Sequence, residues 1–259
     1  EDESAADEAL TAPQSKEPNM LPHVAFFARE LKQHIAAAKA RGWVDPDDIV
    51  RAWQANTSLV TLSHASNVTG VTQEVESIVK VAREREALSL LDASQSIGHV
   101  AVSQYESIAD IVVSPGHKWL MGMHGIAVLY ARQGIHFDPL IQGGTGSTSE
   151  SLEMPVEMQD QVEVGTIDFP AAAALLAGCR WLKEERLESV AAACKGYAQA
   201  CYDELSDIRG VRVITPDPTS GVLGPPIISM VCDGYSPVEV AALFEQIAGV
   251  QVRSGYHCA

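Results

Sequence analysis

Apolar runs bounded by polar turns alternate with helical stretches along the middle of this chain. Residues 58–64 (SLVTLSH), 87–92 (ALSLLD), 109–114 (ADIVVS) and 125–131 (GIAVLYA) are continuous apolar runs of strand length, which predicts four buried strands. Between the first two, residues 72–86 place Val75, Ile78, Val79 and Val81-Ala82 on one face, the pattern of an amphipathic helix. WVDPDDIVRAW predicts a short helix entered through Asp45-Pro46, and a longer one is expected over residues 21–40. Strands separated by helices indicate a parallel or mostly parallel sheet.

After Pro139 the glycine-rich segment IQGGTGSTSES opens an irregular stretch that runs to about Pro170. An Ala-rich helical region is expected from Ala171 to about Asp207. It is followed by strands at VRVITP and PIISMV, a helix at PVEVAALFEQIA and a last strand at GVQVRS. The expected organisation is an acidic tail over residues 1–20, a large α/β domain over 21–170 and a small α+β domain over 171–259.

Composition narrows the function classes. A formal net charge of −16 argues against a nucleic-acid surface, and no apolar run approaches the roughly 18 residues that span a bilayer. No basic start followed by an apolar stretch marks a signal peptide. The five cysteines lack close metal-type pairing, which points to a reducing, cytoplasmic setting. Cys194 and Cys201, at helical spacing, read as core packing. His64, His99, His124 and His136 show no ligand spacing, so they are read as structural and no metal is expected.

Chemistry-bearing residues fall just after the predicted strands. Ligands of open α/β sheets bind beyond the carboxyl ends of the strands. Here those ends carry His64-Ala65-Ser66-Asn67, Asp92-Ala93-Ser94-Gln95 and Ser114-Pro115-Gly116-His117-Lys118, with Gly143 to Ser147 further on. An acid, an amide and a lysine on one rim suit pyridoxal phosphate. That cofactor needs an amine for its aldehyde and a carboxylate to keep its ring nitrogen protonated. Asp92 can supply the carboxylate, Lys118 the amine, Gln95 a donor to the ring hydroxyl oxygen, and His117 a phosphate contact or a proton.

SHASNVTG (63–70), DASQSIGH (92–99), SPGHKWLMGMHGIAVLY (114–130), GGTGSTSES (143–151) and VRSGYHCA (252–259) resemble successive motifs of the class V aminotransferase family of pyridoxal-phosphate enzymes. The likeness is to its cysteine desulfurase and selenocysteine lyase-like branch, over residues 41 to 259. The resemblance implies a fold-type-I α/β architecture, with Lys118 as the Schiff-base lysine and Asp92 at the pyridine nitrogen. It puts Gln95 at the ring oxygen, His117 at the phosphate and Asn67 near the cofactor and the substrate carboxylate. VGTIDFP (164–170) is similar to a family segment whose threonine, here Thr166, reaches the phosphate of a neighbouring subunit, implying a homodimer. Arg253 corresponds to a substrate-side arginine and Cys258 to the cysteine that takes sulfur from L-cysteine as a persulfide. A sulfur-acceptor protein follows as a possible partner.

Several positions depart from the family pattern. Pro18 stands where relatives have a ring-stacking histidine, Pro115 where they have Ser or Thr, and Ile167-Asp168 where they have Pro-Asn. No counterpart of the family's N-terminal phosphate loop is visible, and the chain ends one residue after Cys258, so an incomplete family chain is expected. The implied reaction is removal of sulfur from cysteine to give alanine. Another class V activity, as aminotransferase or lyase, and a non-catalytic remnant of the fold remain open alternatives.

Overall fold

The computed structural model describes residues 42–99, 109–146, 150–185, 187–221, 224–255 and 257. The acidic stretch 1–20, the helix expected over 21–40, Ser147 and Cys258 lie outside the described residues. Helix α1 (Pro46–Ala52) starts as its sequence predicts: Asp45 caps it by accepting from the Asp47 N–H at 2.9 Å, and Pro46 opens the first turn.

Strands β1 (Leu59–Ser63), β2 (Leu88–Asp92), β3 (Ile111–Pro115) and β4 (Ala127–Ala131) form one sheet in the order β1-β2-β3-β4. The first three are parallel and β4 runs antiparallel to β3. Helix α2 (Val75–Glu84) crosses between β1 and β2, burying Val75, Ile78, Val79 and Ala82. The apolar stripe at helical spacing thus meets the sheet face that carries Val60, Leu62, Leu91 and Val112. The opposite face stays partly open at Leu59, Leu88 and Leu129, which are 40%, 38% and 38% exposed. Pairing of Ser63 with Asp92 and of Asp92 with Val113 puts Asp92 on that more open face.

At the opposite end of the sheet Asp110 is buried and fully engaged. Its carboxylate accepts from the Ser89 N–H and Oγ, each at 2.8 Å, and pairs with Arg132 Nε at 2.7 Å. Burial alone would raise its pKa, but the bonds from Ser89 and Arg132 outweigh that and hold it below the usual carboxylate range. Asp110→Ala would leave the fully buried Ser89 N–H without an acceptor and Arg132 without its anion. It should cost about 3 kcal/mol in urea unfolding, with Asp110→Asn costing less because an acceptor remains. Equal stability of Asp110→Ala and wild type would refute this.

Three expectations for the second half are corrected. The stretch between Pro139 and Pro170 contains a short helix, α3 (Met158–Val162). The Ala-rich helical region forms as expected, as two helices, α4 (Phe169–Glu184) and α5 (Leu187–Ser206). Asp168 sets the start of α4 by accepting from the Ala171 N–H at 3.0 Å. Strands β5 (Val211–Val213) and β6 (Met230–Cys232) pair antiparallel, and α6 (Pro237–Leu243), with a full capping box at Ser236 and Glu239, continues into a π-helical turn (Phe244–Ala248). The last strand expected at 249–254 does not form. Its alternation fits a strand, yet no described strand pairs with it, and Val250 and Val252 are exposed at 46% and 41%. Cys201 is exposed on α5, so the pair with Cys194 is not core packing.

Candidate active site

Asp92 ends β2 and is half-buried. One oxygen, Oδ1, accepts from the Ser94 N–H at 2.8 Å, a turn that lets the chain leave the strand; Oδ2 meets no described donor. The next strand end is tied in through the backbone, since the Ala93 N–H donates to Val113 O at 2.8 Å. On the other side the His64 N–H donates to Asp92 O at 2.9 Å. The ends of β1, β2 and β3 are therefore laced together beside Asp92.

Lys118 stands in the turn that leaves β3, exposed together with His117. The turn is held by Gly122 N–H to Gly116 O at 2.8 Å and Met121 N–H to Lys118 O at 3.0 Å. Helix α4 presses on its far side at Gly178, where an added Cβ would sit 2.2 Å from Leu120 O. Glycine is needed there for the helix to brace the turn that carries the lysine. His117 stacks on His124, ring centroids 4.3 Å apart and planes at 29°. His124, read from the sequence as a scattered structural residue, thus belongs to the rim.

Gln95 lies in the turn after β2, and its Oε1 accepts from the Trp119 indole Nε1–H at 3.0 Å. His99 packs edge-on against Trp119 with centroids 4.1 Å apart. Trp119 was not singled out in the sequence, and His99 was read there only as structural. Their neighbours Lys118 and Gln95 drew attention, but no spacing rule links side chains on two different turns.

Asn67 follows β1 and its Nδ2 donates to His257 O at 2.7 Å, which brings the C-terminal segment to the end of the sheet. Ser229 Oγ also donates to Val68 O, and the Gly224 N–H to Gly70 O at 3.0 Å, docking the second half of the chain on the same loop. Arg253 is exposed in that C-terminal segment. Thr166 is exposed in the loop before α4, next to Gly165, whose N–H donates to Gly144 O at 2.8 Å. The glycine segment at Gly143 and Gly144 therefore packs on 164–165, and no hydrogen bond or ion pair joins Thr166 to Asp92 or Lys118 among the described residues. Nor do the described residues hold a group of three or more His, Cys, Asp or Glu able to bind a metal ion.

Burial lowers the His64 pKa from 6.5 to about 4, so the ring is neutral near pH 7. The unfolded chain binds the proton more readily between those two values. Stability is therefore full above the unfolded pKa and is lost as pH falls through about 4, by about 3 kcal/mol at most. Urea unfolding should show this loss in wild type and a smaller one in His64→Gln, whose amide does not titrate. An unchanged acid slope in His64→Gln would contradict it.

Comparison with known proteins extends the picture. The family profile described as aminotransferase class-V matches residues 4–259, reaching into the stretch read as an acidic tail. A probable cysteine desulfurase of Methanothermobacter thermautotrophicus is 31% identical over 246 residues, covering 93% of this chain and 60% of the relative. A probable cysteine desulfurase of Pyrococcus abyssi is 29% identical over 266 residues, covering 98% and 63%. The apo structure of a cysteine desulfurase from Thermococcus onnurineus superposes with a TM-score of 0.71 at 30% identity, covering 84% of this chain and 54% of that one. The chain thus spans about three-fifths of these two curated relatives and just over half of the solved one. With a profile match over nearly its whole length and a mostly parallel α/β sheet in common with pyridoxal-phosphate enzymes of fold type I, this chain belongs to the class V aminotransferase family.

Proposed function

We propose that this chain is the cofactor-bearing part of a pyridoxal-phosphate-dependent cysteine desulfurase, acting on L-cysteine in a homodimer. The observation that carries the reading is the set of groups at two neighbouring strand ends. Asp92 has a carboxylate oxygen that meets no described donor, Gln95 has its amide oxygen already engaged, and Lys118 has an exposed amine. That donor set fits the cofactor: an anion for a ring N–H, an amide N–H for a phenolic oxygen and an amine for an aldehyde. Once bound, pyridoxal phosphate would supply an electron-withdrawing ring that stabilises negative charge at the substrate's Cα.

The remaining chemistry belongs to the protein. Asp92 would hold a proton on the ring nitrogen, and Gln95 would donate to the ring oxygen. His117 would serve the phosphate, and Thr166 would reach the phosphate bound by a partner subunit. Asn67 and Arg253 receive the substrate carboxylate, the arginine as a two-pronged donor. Lys118 Nζ moves protons at the substrate's Cα. The Cys258 thiolate attacks the substrate sulfur, so the Cβ–S bond breaks and an S–S bond forms. Cysteine and the enzyme thiol become alanine and the enzyme persulfide. Two equivalents of a thiol reductant, or a sulfur-acceptor protein, then restore the thiol, the reductant leaving as disulfide with release of sulfide.

The test is product balance. Cysteine with a thiol reductant and pyridoxal phosphate should give alanine and sulfide in equal amounts. Amino-group transfer to an added keto acid without sulfide would assign another class V activity, and no product at all would favour a non-catalytic member of the fold.

A further inference from the structure

The residue after the lysine is a tryptophan whose indole reaches back to the neighbouring strand end. Trp119 Nε1–H is a donor only, so at 3.0 Å from the Gln95 amide it must face the oxygen. An amide fixed in this sense turns only N–H groups to whatever binds at its other end. Gln95 Nε2 donates to no described residue. Left without Trp119, the amide could rotate by half a turn and offer its oxygen instead, which would repel an anionic ligand oxygen.

The tryptophan is itself held in place. His99 packs against it at 4.1 Å with the planes at 77°, and the buried His99 Nε2 has no hydrogen-bond partner among the described residues, so on this side the ring contributes packing. Gly98, at φ 90°, lets the chain approach so closely that a Cβ there would lie 2.5 Å from Trp119 O. One turn after β2 thus carries both the amide and the two residues that fix its orienting donor.

We propose that Trp119 is a positioning residue for the cofactor site: it locks Gln95 with its N–H donors outward, selecting an anionic ring oxygen as the ligand. This rests on the pyridoxal-phosphate reading above, and the test separates the two. Pyridoxal phosphate is titrated into the 259-residue chain, Gln95→Leu, Trp119→Phe and the double variant, following both the dissociation constant and the pH midpoint of the bound cofactor's visible band. Gln95→Leu and Trp119→Phe should each weaken binding by about tenfold and move the midpoint upward. In the Gln95→Leu background, Trp119→Phe should add nothing to either readout, because the group it orients is gone. Additive losses would assign Trp119 a packing role and overturn the proposal while leaving the cofactor reading intact. Wild type that binds no cofactor would remove the reading and the proposal with it. Should Trp119→Phe not fold, hydrogen exchange of the Trp119 indole N–H decides: it should quicken at least about tenfold in Gln95→Leu, and an unchanged rate overturns the proposal.

Discussion

Lys118→Ala should abolish cysteine turnover, by a factor of at least about 10² to 10⁴, while leaving the fold intact. The side chain is exposed on its turn, and its ammonium has no ion-pair partner among the described residues, so its removal opens no cavity. The turn itself is built by Gly116, Met121, Gly122 and the pressure of α4 at Gly178, none of which needs the lysine side chain. The two readouts should therefore part: urea unfolding within about 0.5 kcal/mol of wild type, and turnover at background. A small exogenous amine should restore part of the rate, since the missing function is an amine that moves a proton. Comparable turnover in wild type and Lys118→Ala would move the chemistry to another group.

Cys258→Ser should remove sulfide release and leave the visible band of the bound cofactor unchanged. A serine hydroxyl is far less acidic than a thiol and a poorer nucleophile, so it does not offer the anion that attacks the substrate sulfur. In the residue before Cys258, His257, the carbonyl accepts from Asn67 Nδ2 just after β1. Loss of the band together with sulfide would mean that the substitution disturbs the cofactor rather than the sulfur step. Full sulfide release by Cys258→Ser would reassign the nucleophile.

Much of the large sheet was legible because each strand is an apolar run closed by a turn signal. SLVTLSH, ALSLLD, ADIVVS and GIAVLYA all became strands within a residue or two of their expected bounds. The helix between the first two followed from Val75, Ile78, Val79 and Ala82 alone. The strand at 249–254 failed because alternation reports a face, not a partner, and a strand exists only where another strand pairs with it. Asp92, Gln95, His117 and Lys118 could be found because each ends a strand or follows one closely. Their supports could not: Trp119 meets Gln95, His99 meets Trp119 and His124 meets His117 only after two turns fold against each other. Histidines judged by metal-ligand spacing were therefore set aside, though two of them pack at the rim.

Lys118 is the residue proposed to hold the cofactor. Incubating the chain with excess pyridoxal phosphate, reducing it with borohydride and mapping the peptides measures this directly. The expected result is a single pyridoxyl group on Lys118, absent from Lys118→Ala. A label on any other lysine, or none after reduction of the wild-type chain, would contradict it.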